Sequence, residues 1–507
     1  MSRETPTRTS PAQTDSGLGE KGLSKGTVGV LGAVVIGVSC IAPAYTLTAA
    51  LGPTVAEVGT QLPAIFIVGF LPMLLVALGY RELNNAMPDS GTSFTWATRA
   101  FGPWIGWMGG WGLIAATIIV LSNLAAVAVD FFFLLIAQLT GNAEIAALTK
   151  NLWINIPVTL IFIAAACWIS YRGMQTTKAF QYGLVAFQLI VLAWFAIAAF
   201  SHVNNGTAFD PTPIKLDWFN PMAVESFSAF AAGVSLSIFI FWGWDVTLTM
   251  NEETKNPATV PGRAATLTIL LIMAIYMFIS LAVISYAGVG NTGLGAGNPD
   301  NQESIFAVLA GPIMGQFAIL MSLAILSSSA ASLQSTMVSP ARTILAMGYY
   351  KALPDRFGKI SPRFMSPSVA TITAGAAAAA FYVITRLLSE SALWDTIAAL
   401  GLMICFYYGV TALGCVWYFR REAFDSVRGF LLKFLAPLVG GVILLVMFMS
   451  TARDSMSPDY GSGSNIAGLG MVFVLGMGVL LMGVGVMIYM RLRSPGFFKG
   501  ETLKRMK

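Results

Sequence analysis

Asp245 lies inside an otherwise apolar stretch, Phe239-Ile240-Phe241-Trp242-Gly243-Trp244-Asp245. A carboxylate at membrane depth costs roughly 2.5–3.5 kcal/mol on insertion scales unless it is paired or protonated. That leaves it two chemical tasks, counter-ion for a cationic solute or carrier of a proton. The plain alternative is a structural group that caps a helix or pairs with a lysine outside the membrane. The four rings beside it, Phe239, Phe241, Trp242 and Trp244, can hold an ammonium group on their faces or simply pack. Gly243 opens backbone angles closed to other residues. Trp242 and Trp244 face different ways in any helix that continues straight through it.

A second stretch, Gly37-Val38-Ser39-Cys40-Ile41-Ala42-Pro43, interrupts another apolar run. Pro43 has no N–H and clashes with the turn before it, yet it suits the first position of a new helix. A helix starting there aims free N–H groups and a positive dipole end at the interruption, which suits an anion. Ser39 adds a hydroxyl. A proline kink in an ordinary bundle is the alternative. Irregular backbone at membrane depth is tolerated only where it is buried or lines a cavity. Two such places therefore point to a solute site near the bilayer midplane.

The elements that position these stretches follow from composition. The chain has 507 residues, 56% hydrophobic and only 10% charged, against about 25% charged in a soluble domain. Its mean hydropathy is +0.73. Apolar runs of about 20 residues recur, each the length of one helical span, and barrel-type alternation is absent. This is the pattern of an all-α integral membrane protein. Spans are expected at roughly 28–52, 62–84, 105–138, 152–171, 180–200, 222–250, 264–288, 312–347, 367–388, 392–419, 431–451 and 466–491. With both termini cytoplasmic, all 29 Lys and Arg except Lys150, Lys215, Arg386 and Arg453 fall on the inner side. Splitting the long third run would put most of them outside, so the positive-inside rule keeps it whole.

The interruptions then fall in spans one and six, which run in opposite directions. That is what two inverted five-helix halves give. The expected division is a disordered cytoplasmic tail 1–22, a first repeat 23–200, a second repeat 201–420, two further spans within 421–491 and a basic cytoplasmic tail 492–507. The first span would serve as an uncleaved insertion signal, since the tail lacks the apolar region of a signal peptide.

Other polar residues within spans are secondary candidates. Asp130, with Asn123 nearby, lies in the outer part of the third span and can bind a cation or face an outer vestibule. Ser327, Ser328, Ser329, Ser332 and Ser335 in the eighth span let helices approach closely. Ser328 and Ser329 also offer oxygens to sodium. Tyr407 and Tyr408 in the tenth span can meet solute or the lipid interface. Glu57, Glu225 and Asp395 sit at outer span ends, where water is the expected partner. Cys167, Cys405 and Cys415 read as small buried hydrophobes, while Cys40 falls in the first interruption. No metal cluster, cofactor motif or nucleophile–histidine pair is visible, which speaks against an enzyme. The basic residues sit in short loops and at the ends, which speaks against nucleic-acid binding.

Three runs at span ends and in the loops that follow them carry a family resemblance. The first is Tyr80-Arg81-Glu82-Leu83, with Pro88, Ser90-Gly91, Phe94 and Gly102-Pro103. The second is Glu252-Glu253-Thr254-Lys255-Asn256-Pro257, with Pro261. The third comprises Arg342, Met347, Leu353-Pro354, Phe357 and Lys359. Together they resemble the amino acid–polyamine–organocation (APC) superfamily over roughly residues 25–420. The resemblance implies a leucine-transporter-like fold of two inverted five-helix repeats plus two extra helices. It implies secondary transport of an amino acid or organic amine. It places Ser39, Cys40, Ile41 and Ala42 where backbone amides receive a substrate carboxylate, and Phe241, Trp242 and Gly243 where carbonyls receive its amine. Phe239 resembles an aromatic gate. Asp245 falls where several relatives carry an acid used for cation recognition or proton sensing, with Asp130 as the other coupling candidate.

Two departures qualify this. The first interruption reads Val38-Ser39-Cys40-Ile41, without the family's two glycines, which favours an amine lacking an α-carboxylate as an alternative substrate. The lysine that some proton-coupled relatives carry in the fifth span is matched by Gln188, which cannot carry a proton. The expected function is a multi-pass plasma-membrane permease taking up an amino acid with a co-transported proton, sodium being the alternative ion. A polyamine or other organic amine is the alternative substrate. A solute sensor that does not transport is the alternative of another class.

Overall fold

The computed structural model describes residues 20–302, 304–388 and 392–505. Within them the chain is helical apart from its connections and one short hairpin, β1 (Asn465–Ile466) with β2 (Leu469–Gly470). The first part comprises α1 (Val30–Ile41), α2 (Pro43–Val58), α3 (Leu62–Ala86), α4 (Ser93–Phe101), α5 (Pro103–Thr140), α6 (Leu152–Tyr171) and α7 (Met174–Asn204). The second comprises α8 (Phe227–Ile240), α9 (Val246–Thr249), α10 (Val260–Ala287), α11 (Ile305–Met314), α12 (Ile319–Thr336), α13 (Val338–Tyr349), α14 (Ser368–Leu388) and α15 (Ala392–Tyr418). Then α16 (Val427–Gly429) runs through a π-helical turn, Phe430–Leu435, into α17 (Ala436–Asp454), and α18 (Met471–Arg493) is followed by α19 (Pro495–Phe498).

Proline and glycine punctuate these helices as their chemistry demands. Pro43, Pro63, Pro103 and Pro261 stand in first turns, where a missing N–H costs nothing. Gly102 at φ 105 and Gly173 at φ 94 precede α5 and α7, in backbone that a side chain would strain.

Among the described residues, ten helical runs are long and apolar enough to cross a bilayer. The count differs from the expected twelve spans in two places, where the first and second spans run together through the turn Gly59–Gln61 and where the sixth is cut short by its interruption. One run, Val30–Ala86, takes in α1, α2 and α3, whereas Phe227–Ile240 is too short to span alone. The third run is a single helix, α5, of 38 residues. At 1.5 Å per residue it is about 57 Å long, well beyond a hydrocarbon core of about 30 Å, so it must tilt or project. The expected eighth span, 312–347, is subdivided. Its first residues belong to α11 and a tight turn Gly315–Phe317, and a break at Met337 separates α12 from α13. Helix α4 was not foreseen, because it is short and lies between spans.

Helix α5 packs on α4, α12, α14 and α15. Helix α1 packs on α7, α10 and α12, and α8 on α2 and α3. The two interrupted helices therefore lie in the middle of the bundle. Most of the expected tail 1–22 lies outside the described residues, but its last part is fixed in place. Lys21 is buried, and Thr27 and Val28 bond the backbone of 253–255 beside a parallel bridge to Thr254.

Candidate functional site

The first interruption is narrower than the sequence suggests. Helix α1 continues through Ile41, and only Ala42 leaves the helix, in the left-handed region at φ 57, ψ 67. Ser39, Cys40 and Ile41 thus keep their N–H groups inside α1, and the free amides belong to the first turn of α2. One of them, on Tyr45, donates to Ser328 Oγ at 3.4 Å. Pro43 has no N–H to offer the Ser39 carbonyl one turn back. The Cys40 carbonyl is instead met by the Ser332 hydroxyl at 2.8 Å. Ser39 Oγ donates to Gln181 Oε1 and lies 3.2 Å from Ser335 Oγ. Cys40 Sγ is 3.2 Å from Thr336 Oγ1.

The second interruption is a genuine turn, Phe241 to Asp245, with Gly243 at φ 110. The Trp242 amide bonds the Phe239 carbonyl at 3.0 Å, and the Asp245 carbonyl accepts from Leu248 at 2.9 Å. Turning the backbone here sends both tryptophans toward consecutive tyrosines of α15. Trp242 Nε1 donates to the Tyr407 hydroxyl at 2.6 Å, and Tyr407 donates onward to Asp245 Oδ2 at 3.1 Å. The Trp244 ring packs on Tyr408 (centroids 4.9 Å) and Tyr80 (5.1 Å). Asp245 is only 3% exposed, and three of its ring neighbours, Trp242, Tyr407 and Tyr408, are buried with it.

The two interruptions touch. A Cβ on Gly243 would stand 3.2 Å from Cys40 Sγ and 3.3 Å from the Cys40 carbonyl carbon. Tyr276 of α10 ties them a second time, its hydroxyl donating to the Ile240 carbonyl at 3.0 Å and pairing with Thr46 Oγ1. The Tyr276 ring also packs on Phe241, with centroids 5.4 Å apart. Ser39, Cys40, Ile41, Ala42, Phe239, Phe241, Trp242, Gly243 and Asp245 are all buried here, so the structure gathers nine sequence candidates in one place.

The remaining candidates lie elsewhere or play other parts. Asp130 is half-buried on α5, and its charge acts on Tyr382 of α14. It takes no part in the contacts described around Asp245. Ser328 meets α2 through Tyr45, while Ser329 Oγ is buried with no hydrogen-bond partner among the described residues. Gln181, not Gln188, is the α7 residue that reaches the first interruption. It accepts from Ser39 and donates to the Ala331 carbonyl at 2.9 Å and Gln334 Oε1 at 2.6 Å. The two glutamines are seven residues apart and share a helix face, so sequence spacing does not distinguish them. Tyr276 carried no local signal at all, and Tyr80 was marked only as part of the run Tyr80-Arg81-Glu82-Leu83.

The three runs that carry the resemblance converge on one end of the bundle. Arg342 makes two bonds to the Glu253 carboxylate, at 2.6 and 2.9 Å, with both side chains buried. Asn84 Nδ2 donates to the carbonyls of Pro257 and Ala258 at 2.8 and 2.9 Å. Lys21 Nζ lies 2.6 Å from both Asp89 and Glu252. Tyr350 donates to Asp89 at 2.7 Å, and the Lys21 ammonium stands 5.3 Å from the Tyr350 ring. Burial disfavours the charge on Lys21, but the Asp89 and Glu252 carboxylates outweigh it and hold its pKa above the usual lysine value. Burial likewise opposes the charge on Asp89, and the Lys21 ammonium with three hydrogen bonds outweighs it and lowers that pKa. The segment before α1 is thereby latched to the loop after α9 and to the α3–α4 connection.

Residues 27–489 match the amino acid permease family. An uncharacterized transporter of Mycobacterium tuberculosis is 24% identical over 480 residues, covering 94% of each chain. A branched-chain amino acid permease of Bacillus subtilis is 22% identical, covering 85% of this chain and 88% of its own. A low-affinity putrescine importer of Escherichia coli is 20% identical, covering 85% and 89%. These relatives are transporters rather than enzymes. A match over nearly the whole length, on a bundle whose apolar helices make it a multi-pass membrane protein, places this chain in the amino acid permease family of transporters.

Proposed function

We propose that the protein is a secondary active transporter that takes up an amino acid across the plasma membrane with a proton, by alternating access between the two interruptions. The observation that carries this reading is the contact of Cys40 with Gly243, beside a buried carboxylate reached through Tyr407. The turn at Gly243 meets the last helical turn of α1 there, just ahead of the break at Ala42, in the middle of the bundle, and paired helix breaks at such a place are where transporter sites form. In this reading α1–α2 and α8–α9 are spans one and six of twelve. They belong to inverted repeats 23–200 and 201–420, both termini are cytoplasmic, and the Lys21 latch closes the inner side. The first turn of α2 receives the substrate carboxylate. The carbonyls at Phe241 and Gly243 receive its amine, Phe239 helps close the outer side, and Asp245 exchanges a proton during the cycle. The test is uptake of labelled amino acids into proteoliposomes with an imposed pH gradient. Gradient-dependent uptake supports the reading, and its absence for every amino acid rejects it.

A second substrate class has its own support. The first interruption is reduced to one residue, Ala42, whereas Asp245 is surrounded by Trp242, Trp244, Tyr407 and Tyr408. A carboxylate with aromatic rings suits an ammonium group better than a carboxylate. Competition by putrescine and other amines without a carboxylate, lost in Asp245→Asn, selects this alternative over an amino acid.

A further inference from the structure

The chain after α18 does not trail away from the protein. Phe497 is fully buried and Leu503 is 2% exposed. The Phe497 ring stacks on Phe94 of α4 with centroids 5.4 Å apart, and Phe498 lies 5.1 Å from Trp104 at the start of α5. Polar contacts continue the attachment. Arg99 donates to the Lys504 carbonyl at 3.3 Å, Arg505 Nε to the Ala100 carbonyl at 3.1 Å, and Thr502 Oγ1 to the Tyr350 carbonyl at 2.6 Å. One segment, 495–505, thus ties α4 to the residue that directly follows α13.

Tyr350 is the meeting point of this segment and the latch. Its carbonyl is held by Thr502, while its hydroxyl donates to Asp89 at 2.7 Å. Its ring packs against Phe94 (6.3 Å) on one side and stands near the Lys21 ammonium (5.3 Å) on the other. Asp89 has further donors in Lys21, Thr95 and the Gly91 amide. Glu252 gives Lys21 a second carboxylate and accepts from the Ser90 amide at 3.0 Å. A phenol fixed in place offers its hydrogen bond at less entropic cost than one free to turn. Holding Tyr350 therefore strengthens the site in which Lys21 sits.

We propose that residues 495–505 form a strap that sets how readily the Lys21 latch opens, acting through Tyr350. This rests on the reading of the chain as an alternating-access transporter with this end inward, where a loosened latch exposes the central site to the cytoplasm. The strap is a conformational control distinct from the solute site, since none of its contacts reaches the two interruptions. Lys499, Lys504 and Arg505 remain exposed along it, so it lies on the surface and can detach without unfolding the spanning helices.

The test is hydrogen exchange in the full-length reconstituted protein, read at the amides of 20–28. Three variants are compared with it: a chain ending at Ser494, Thr502→Val, and Tyr350→Phe. Loss of the strap is expected to raise exchange in 20–28 roughly fivefold, with unchanged exchange in α5 and α15 showing that the bundle is intact. Thr502→Val carries the test if the shortened chain does not assemble. Tyr350→Phe is expected to match strap removal, and the two together to add little, as expected for residues acting in one pathway. Unchanged exchange at 20–28 in an intact shortened chain, or fully additive effects of the two changes, overturns the proposal. Exchange needs no substrate, so failed uptake would reject the transport reading without touching the strap, and the reverse also holds.

Discussion

The side chain that Gly243 lacks would lie 3.2 Å from the sulfur of Cys40, two residues about 200 positions apart in sequence. Gly243 also sits at φ 110, backbone that other residues rarely adopt. Gly243→Ala therefore combines strain of about 1–3 kcal/mol with pressure on the first interruption. Initial uptake in proteoliposomes should fall at least about tenfold, a factor equal to about 1.4 kcal/mol. Melting in detergent should fall by a few degrees only. Wild-type uptake by this variant would separate the contact from function.

Tyr407 links Trp242 to Asp245. Removing its hydroxyl in Tyr407→Phe leaves a buried indole N–H and a carboxylate oxygen each short of a partner, at about 1–3 kcal/mol. The half-saturating substrate concentration should rise, and the dependence of uptake on external pH should shift. Asp245→Asn should remove that pH dependence while the protein still inserts and folds. Uptake measured against external pH in both variants checks this, and an unaltered profile in Asp245→Asn removes the carboxylate from the coupling role.

The Arg342–Glu253 pair is buried, at 2% and 1% side-chain exposure. Taking away one partner strands a charge, which costs about 3–5 kcal/mol. Arg342→Met and Glu253→Gln should each lower the melting temperature strongly. The double variant should be more stable than the sum of the two losses, because neither charge is then left alone. Thermal melting of the three proteins in one detergent decides it.

The latch at Lys21 should be indifferent to pH over the physiological range. Asp89 has its pKa lowered in the folded protein. Its stabilising contribution is therefore complete above the usual carboxylate value near 3.9 and is lost only as pH falls below it. Lys21 has its pKa raised, so its contribution is complete below the usual lysine value near 10.4 and is lost only above it. Once corrected for intrinsic chemical exchange, protection of 20–28 should be flat from about pH 5 to 9. A change within that window would place a titrating group in the latch.

Much of the site was legible before the fold was known, because membrane burial makes local chemistry informative. Pro43 and Gly243 each disrupt a helix whatever surrounds them, and Asp245 is conspicuous in apolar sequence. What could not be read was how far each disruption spreads. Val38, Ser39 and Cys40 are acceptable helix residues, so α1 runs to Ile41 and leaves Ala42 alone out of register. Glycine-rich sequence would have given the chain no such reason to stay helical. That Gln181 reaches the first interruption depended on how α7 sits against α1 and α12.

The ends of the chain were the least legible. Both were expected as tails, from charge and from Ser, Thr and Pro content. Yet Lys21 is buried between partners 68 and 231 residues away, and Phe497 and Leu503 are buried against α4 and its neighbours. Short polar segments lack the periodicity that identifies a helix. Their order comes entirely from partners supplied by distant parts of the fold.

The sequence by itself determined that the chain is a bundle of apolar helices, where two of them fail, and that one carboxylate lies at such a failure. Those properties follow from the cost of unsatisfied backbone and charge in lipid, which each segment meets alone. Only the tertiary structure decided that Cys40 meets Gly243, that Tyr276 ties the two interruptions while Tyr407 braces the second, and that Lys21, Asp89, Glu252 and Tyr350 form one latch. Contacts between helices are set by how whole surfaces pack against each other, and no segment encodes its neighbour's position.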